Sequence, residues 1–107
     1  MESPEWLVAA IIHHAGAGTT AAALRSGKPN IVLPLAADQP FWAKGIHACG
    51  ASPAPLDPRS LSPARVAVAV RQAIENDRIR QQAAALGVTI RSEAGLEKAL
   101  EIIKRFA

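Results

Sequence analysis

A chain of 107 residues, half of them hydrophobic and only 20% charged, has the size and composition of one folded domain with a core of its own, not of a disordered segment. Its apolar runs are far shorter than a bilayer crossing requires, and the lone Cys49 forms no internal disulfide. With no secretory pattern at the start, a cytoplasmic setting is expected. The net charge of +3 comes mainly from eight arginines spread between Arg25 and Arg105, without a dense or aromatic-interleaved basic stripe, so no nucleic-acid partner is expected.

The apolar run Leu7 to Ile12 reads as a strand, and it leads into His13-His14-Ala15-Gly16-Ala17-Gly18-Thr19-Thr20. Thr19 to Ser26 carries strong helix formers and is stopped by Gly27 and Pro29. Asn30 to Leu33 reads as a second, buried strand ended by Pro34, followed by a loop from Ala36 to Pro40. Strand, helix and strand in this order form a right-handed unit with parallel strands, so the carboxyl ends of both strands face one crevice. Phe41 to Cys49 reads as a helix closed by Gly50, and the proline-bearing stretch Ala51 to Arg59 as a surface crossing with a very short strand. Ser62 caps a helix that has Pro63 at its first position, with Val66, Val70, Ala73 and Ile74 on one face. A further helix is expected from Asp77 to about Leu86, and a last one from the spacing of Leu96, Ala99, Leu100 and Ile103. The fold class is α/β and helix-rich toward the C-terminus. Residues 1–107 are read as a single, partial domain, because two parallel strands are rarely stable without neighbours.

The loop after the first strand reads as a phosphate cradle. Gly16 and Gly18 are expected to take positive φ and admit a ligand, while Thr19 and Thr20 open a helix whose free N–H groups attract an anion by roughly 0.3–2 kcal/mol per contact. The paired histidines add ring donors at the strand end, although strand alternation turns His13 to the opposite face from His14 and toward a structural role. On the neighbouring loop, Asp38 and Gln39 together offer several acceptors and two donors, which suits a hexose edge. Asp38 is also placed to cap the following helix, and Trp42 reads as helix-face packing, with ligand stacking as the alternative. His13, His14, His47 and Cys49 lack zinc-ligand spacing, so no metal is expected. The rival reading is a dinucleotide fold, since Gly16 to Ala21 fits G-x-G-x-x-A with Asp38 as the ribose partner. Pro34 ends the second strand before Asp38, however, and that reading leaves the histidines, Gln39 and Pro40-Phe41-Trp42 without a role.

These residues, together with Gly27-Lys28-Pro29, Leu33-Pro34 and Asp38-Gln39-Pro40-Phe41-Trp42, resemble the donor-binding signature of inverting nucleotide-sugar glycosyltransferases of the two-domain GT-B type. The likeness is greatest to the sterol 3-beta-glucosyltransferase and macrolide glycosyltransferase branch, with its His-His-Gly-Gly-Ala-Gly-Thr-Thr and Asp-Gln-Pro-Phe-Trp runs, and it covers residues 8 to 50. The resemblance implies the latter part of a Rossmann-like parallel-sheet domain. It implies that His14, Gly16, Gly18 and Thr19 meet the donor diphosphate, and that Asp38 and Gln39 meet the transferred sugar. The implied reaction moves a hexose from UDP-glucose or a similar donor to a hydroxyl of a lipophilic acceptor such as a sterol or macrolide. No cofactor beyond that donor is implied, because imidazole and backbone donors, each worth roughly 3 kcal/mol in the transition state, replace a metal ion. The family's catalytic base lies in an N-terminal acceptor domain, so no catalytic residue is expected in this chain, which acts with that domain or with a partner chain. A peripheral membrane contact fits a lipophilic acceptor. The alternatives are a noncatalytic donor-binding subunit and a dinucleotide-binding oxidoreductase fragment. Three departures stand out: Ala15 replaces the usual first glycine, a mild change if its φ is ordinary; the segment from Trp6 to His14 is short; and Ala22 stands where plant-type relatives carry a ribose-binding glutamate.

Overall fold

A computed structural model describes residues 9–92 and 95–106. Strand β1 (Ile11–His13) leads to helix α1 (Ala17–Arg25), strand β2 (Asn30–Val32) and helix α2 (Gln39–Ala48). A short 3-10 turn (Pro58–Ser60) then precedes α3 (Pro63–Glu75), α4 (Asp77–Ser92) and α5 (Gly95–Phe106). The start of the expected first strand, Leu7 and Val8, lies outside the described residues, as does the side chain of Leu96. No described helix is long and apolar enough to cross a membrane.

The expected strand–helix–strand unit is present. β1 and β2 run parallel, with Ile11, Ile12 and His13 opposite Asn30, Ile31 and Val32. The pairing is extended at both ends, as Ile11 N–H donates to Pro29 O and Leu33 N–H donates to His13 O, each at 2.9 Å. The outer edge of β2 is held by the crossing segment: Asn30 N–H donates to Ala51 O at 2.9 Å and Leu56 N–H donates to Val32 O at 2.8 Å. No regular third strand forms there, because Pro53 and Pro55 remove two N–H donors from that segment.

Alternate residues of β2 enter different layers. Val32 faces a core shared with Leu24, Trp42, Ile46 and Ile103, while Ile31 faces Ala69 and Ala73 of α3. β2 is thus covered on both faces, as a strand within a parallel sheet requires. Full burial of Leu24, Ile31, Ile46 and Ile103 contributes about 1.5–3 kcal/mol each. α5 supplies Ala99, Ile102 and Ile103 to the first layer and turns Lys104 and Arg105 to solvent.

Three local expectations are corrected. On α3 the buried line runs through Ala69 and Ala73 with Val66 and Val70 half-buried, and Ile74 is exposed. Ala69 and Ala73 pack on Ile31 of β2, and Ile74 lies off that line. α4 continues past Leu86 to Ser92, because Gly87 is a contact residue within it: a Cβ there would come within 2.5 Å of Gly27 Cα. α2 begins at Gln39, two residues before the expected Phe41, since Pro40 fits a first helical turn without loss.

Candidate functional site

At the carboxyl end of β1 the two histidines diverge. His13 is buried; its Nε2–H donates to Asn30 Oδ1 at 2.5 Å and its Nδ1 accepts from Ala15 N–H at 3.0 Å. Both ring nitrogens are therefore occupied inside the protein. Desolvation by burial pushes the His13 pKa below its ordinary value, although the Asn30 hydrogen bond opposes this. His14 is exposed, and its Nδ1–H donates to Leu33 O at 3.0 Å. That bond fixes the ring at the ends of both strands and leaves Nε2 for a ligand.

The turn from β1 into α1 is made at Ala15, which is fully buried with φ +68°. Gly16 and Gly18 were expected to carry the positive φ, but Gly16 has φ −65° as the residue before α1, and Gly18 lies within the helix. Ala15 thus adopts the left-handed conformation in place of the usual glycine, at a cost of about 1–2 kcal/mol. The change is not the mild one that an ordinary φ would make it.

The two glycines serve another purpose. A Cβ on either would meet nothing within 4 Å beyond its own local backbone, so neither is required by packing, and each leaves open space beside the helix start. α1 begins at Ala17, ahead of the expected Thr19, and its first internal bond runs from Thr20 N–H to Gly16 O at 2.8 Å. The N–H groups of Ala17, Gly18 and Thr19 precede that bond and have no carbonyl within the helix to donate to. No acidic side chain occupies this first turn, which leaves the positive end of the helix dipole uncompensated. Thr20 is buried and belongs to the core, whereas Thr19 is exposed.

On the second loop, Gln39 Oε1 accepts from Leu35 N–H at 2.7 Å and Ala36 N–H at 3.0 Å, holding the turn that includes Ala37 at φ +55°. Asp38 stands at the cap position of α2, but its side chain makes no cap bond; Oδ2 accepts from Trp42 Nε1–H at 2.9 Å. Trp42 is 6% exposed and packs edge-on against Phe41, with ring centroids 4.9 Å apart. The packing role read for Trp42 is thus joined by a hydrogen bond to Asp38. The i, i+4 spacing within one helix was its only signal in the sequence.

His14, Gly16, Thr19 and Gln39 line one cleft of about 450 Å³, with Ile12 and Leu33 among its walls. Gly18 and Asp38 are exposed chain neighbours of these residues and do not line it. Among the described residues no group of three or more His, Cys, Asp or Glu side chains is arranged to hold a metal ion. His47 Nδ1–H donates to Ser52 O. Cys49 is buried, and desolvation pushes its thiol pKa up.

Comparison with known proteins identifies the family of the chain. Residues 6–105 match the family described as "Erythromycin biosynthesis protein CIII-like, C-terminal domain". The chain is 35% identical over 105 residues to O-mycaminosyltylonolide 6-deoxyallosyltransferase of Streptomyces fradiae, covering 95% of this chain and 25% of that protein. It is 39% identical over 104 residues to a sterol 3-beta-glucosyltransferase of Yarrowia lipolytica, covering 94% of this chain and 7% of that protein. A sterol 3-beta-glucosyltransferase of Arabidopsis thaliana is 34% identical over 92 residues, covering 86% of this chain and 14% of that protein. The chain thus spans a quarter or less of the length of these relatives. With a family match over nearly its whole length, and with a helix start of free N–H groups and a polar second loop on one sheet edge, the chain belongs to the C-terminal-domain family of EryCIII-like GT-B glycosyltransferases.

Proposed function

We propose that this chain holds the nucleotide-sugar donor in a hexosyl transfer, from UDP-glucose or a similar donor to a hydroxyl of a lipophilic acceptor such as a sterol or macrolide. The observation that carries the reading is the convergence of His14, Gly16, Thr19 and Gln39 on one cleft at the carboxyl ends of two parallel strands. The diphosphate sits against the free N–H groups of Ala17, Gly18 and Thr19, in the space left open by the two glycines. His14, tethered through Nδ1–H, turns Nε2 to it and donates there with both ring nitrogens protonated. Asp38 and Gln39 meet the sugar.

Transfer requires that the leaving diphosphate be stabilised as negative charge develops. Donors already aimed at that charge supply this without reorganisation, at about 3 kcal/mol for each well-placed one. No metal ion is needed in this reading. The acceptor's base and binding surface are assigned to an N-terminal acceptor domain or a partner chain, and this chain alone transfers no sugar. The sheet is consistent with such an arrangement. Among the described residues nothing pairs with the outer edge of β1, and Ile12 on that strand is 59% exposed.

Calorimetric titration tests the reading. Saturable binding of UDP and UDP-glucose with no heat from NAD is the expected result. Saturable NAD binding with silence toward UDP-glucose would return the site to the dinucleotide class.

A further inference from the structure

We infer that Trp42 is a positioning residue that, together with Gln39's contact to its own turn, gives the sugar-reading pair a fixed polarity, with Asp38 accepting and Gln39 donating. This rests on the donor-site reading above. A carboxylate on an exposed loop ordinarily samples several rotamers. Here Asp38 Oδ2 is held at 2.9 Å by the indole N–H of Trp42, one helical turn away. Trp42 is itself immobilised in the core among Leu24, Ile46 and Ile103, with Phe41 edge-on to its ring. One oxygen of Asp38 is therefore anchored, and Oδ1 is left oriented as a pure acceptor.

Gln39 is committed in the complementary sense. Its Oε1 accepts from both Leu35 N–H and Ala36 N–H, which uses the two lone pairs of that oxygen and fixes the amide orientation. What remains is Nε2, a pure donor. The two adjacent side chains thus present one acceptor and one donor. The ligand they fit is a pair of neighbouring hydroxyls, one giving its proton to Asp38 and the other accepting from Gln39. A hexose ring edge supplies that pair, and an analogue lacking either hydroxyl leaves a protein group unpaired.

The test uses the full chain, titrated with UDP and with UDP-glucose as Trp42→Phe, Asp38→Ala and the double variant. Trp42→Phe is expected to bind UDP within about twofold of the parent and UDP-glucose about tenfold more weakly, the loss of one charge-assisted contact. Asp38→Ala should show the same selective loss, and the double variant little beyond it. An unchanged UDP-glucose to UDP ratio in Trp42→Phe overturns the inference, as does an equal loss for both ligands, which marks a merely structural role. A parent that binds neither ligand shows instead that the donor-site reading itself is wrong. Should Trp42→Phe not fold, the indole N–H resonance of Trp42 in the parent decides: it should move with UDP-glucose and not with UDP, and its indifference to both overturns the inference.

Discussion

The imidazole of His14 and the backbone of Leu33 are joined by a 3.0 Å hydrogen bond that ties the carboxyl end of β1 to that of β2. The ring is exposed, so its loss costs the fold little while removing the Nε2 that faces the diphosphate. We expect His14→Ala to weaken UDP binding by about tenfold, equivalent to about 1.4 kcal/mol, with the melting temperature nearly unchanged. Calorimetry and a thermal scan on the same sample check both halves. Unaltered UDP affinity would remove His14 from the site.

Gly18 separates stability from function more sharply. It lies in the first turn of α1 with open space where a Cβ would stand. Gly18→Ala should stabilise the fold by up to about 1 kcal/mol through helix propensity and a less flexible unfolded chain. The same methyl should lower affinity for UDP, since it stands beside the helix-start N–H groups assigned to the diphosphate. Denaturant unfolding and UDP titration should therefore move in opposite directions.

Gly87 and Gly27 mark the opposite case, where the missing Cβ is needed by the protein itself. Gly87→Ala places a methyl within 2.5 Å of Gly27 Cα, and backbone must shift to admit it. A destabilisation of about 1–3 kcal/mol is expected, seen as a fall in melting temperature of about 4–8 °C for each kcal/mol. Donor affinity measured well below the transition should be little changed.

His13 predicts the acid side of the stability curve. Its folded pKa lies below the ordinary 6.5 because burial disfavours the charged ring. In the interval between the two values the unfolded chain binds a proton that the folded chain does not. Stability is therefore fully present above about pH 6.5, and this contribution is lost progressively as pH falls from there toward the folded pKa. Denaturant unfolding across this range, compared with His13→Gln, measures the contribution. The variant should lose that part of the pH slope.

Much of the site's placement was legible because punctuation residues dictate it. Gly27 and Pro29 end α1, Pro34 ends β2, and the handedness of a strand–helix–strand unit then brings the loops bearing His14 and Gln39 to one edge. What sequence patterns missed lay in features that no residue type announces. The positive φ sits on Ala15, while the glycines at 16 and 18 take ordinary backbone and are explained by open space around them. The i, i+4 spacing alone does not decide that Asp38 prefers the indole of Trp42 over the amides of its own helix, because both lie within reach of a cap position. The crossing segment from Ala51 to Leu56 follows β2 without becoming a strand, since two prolines interrupt its donors.

The most direct test of the central claim, that a nucleotide sugar binds in the cleft between His14 and Gln39, is residue-resolved amide NMR of the full chain titrated with UDP, UDP-glucose and NAD in turn. We predict that UDP moves the amides of Gly16, Gly18 and Thr19, that UDP-glucose moves those of Asp38 and Gln39 in addition, and that NAD moves none of them. A well-dispersed spectrum in which these amides ignore both UDP ligands, or respond to NAD alone, would contradict the account.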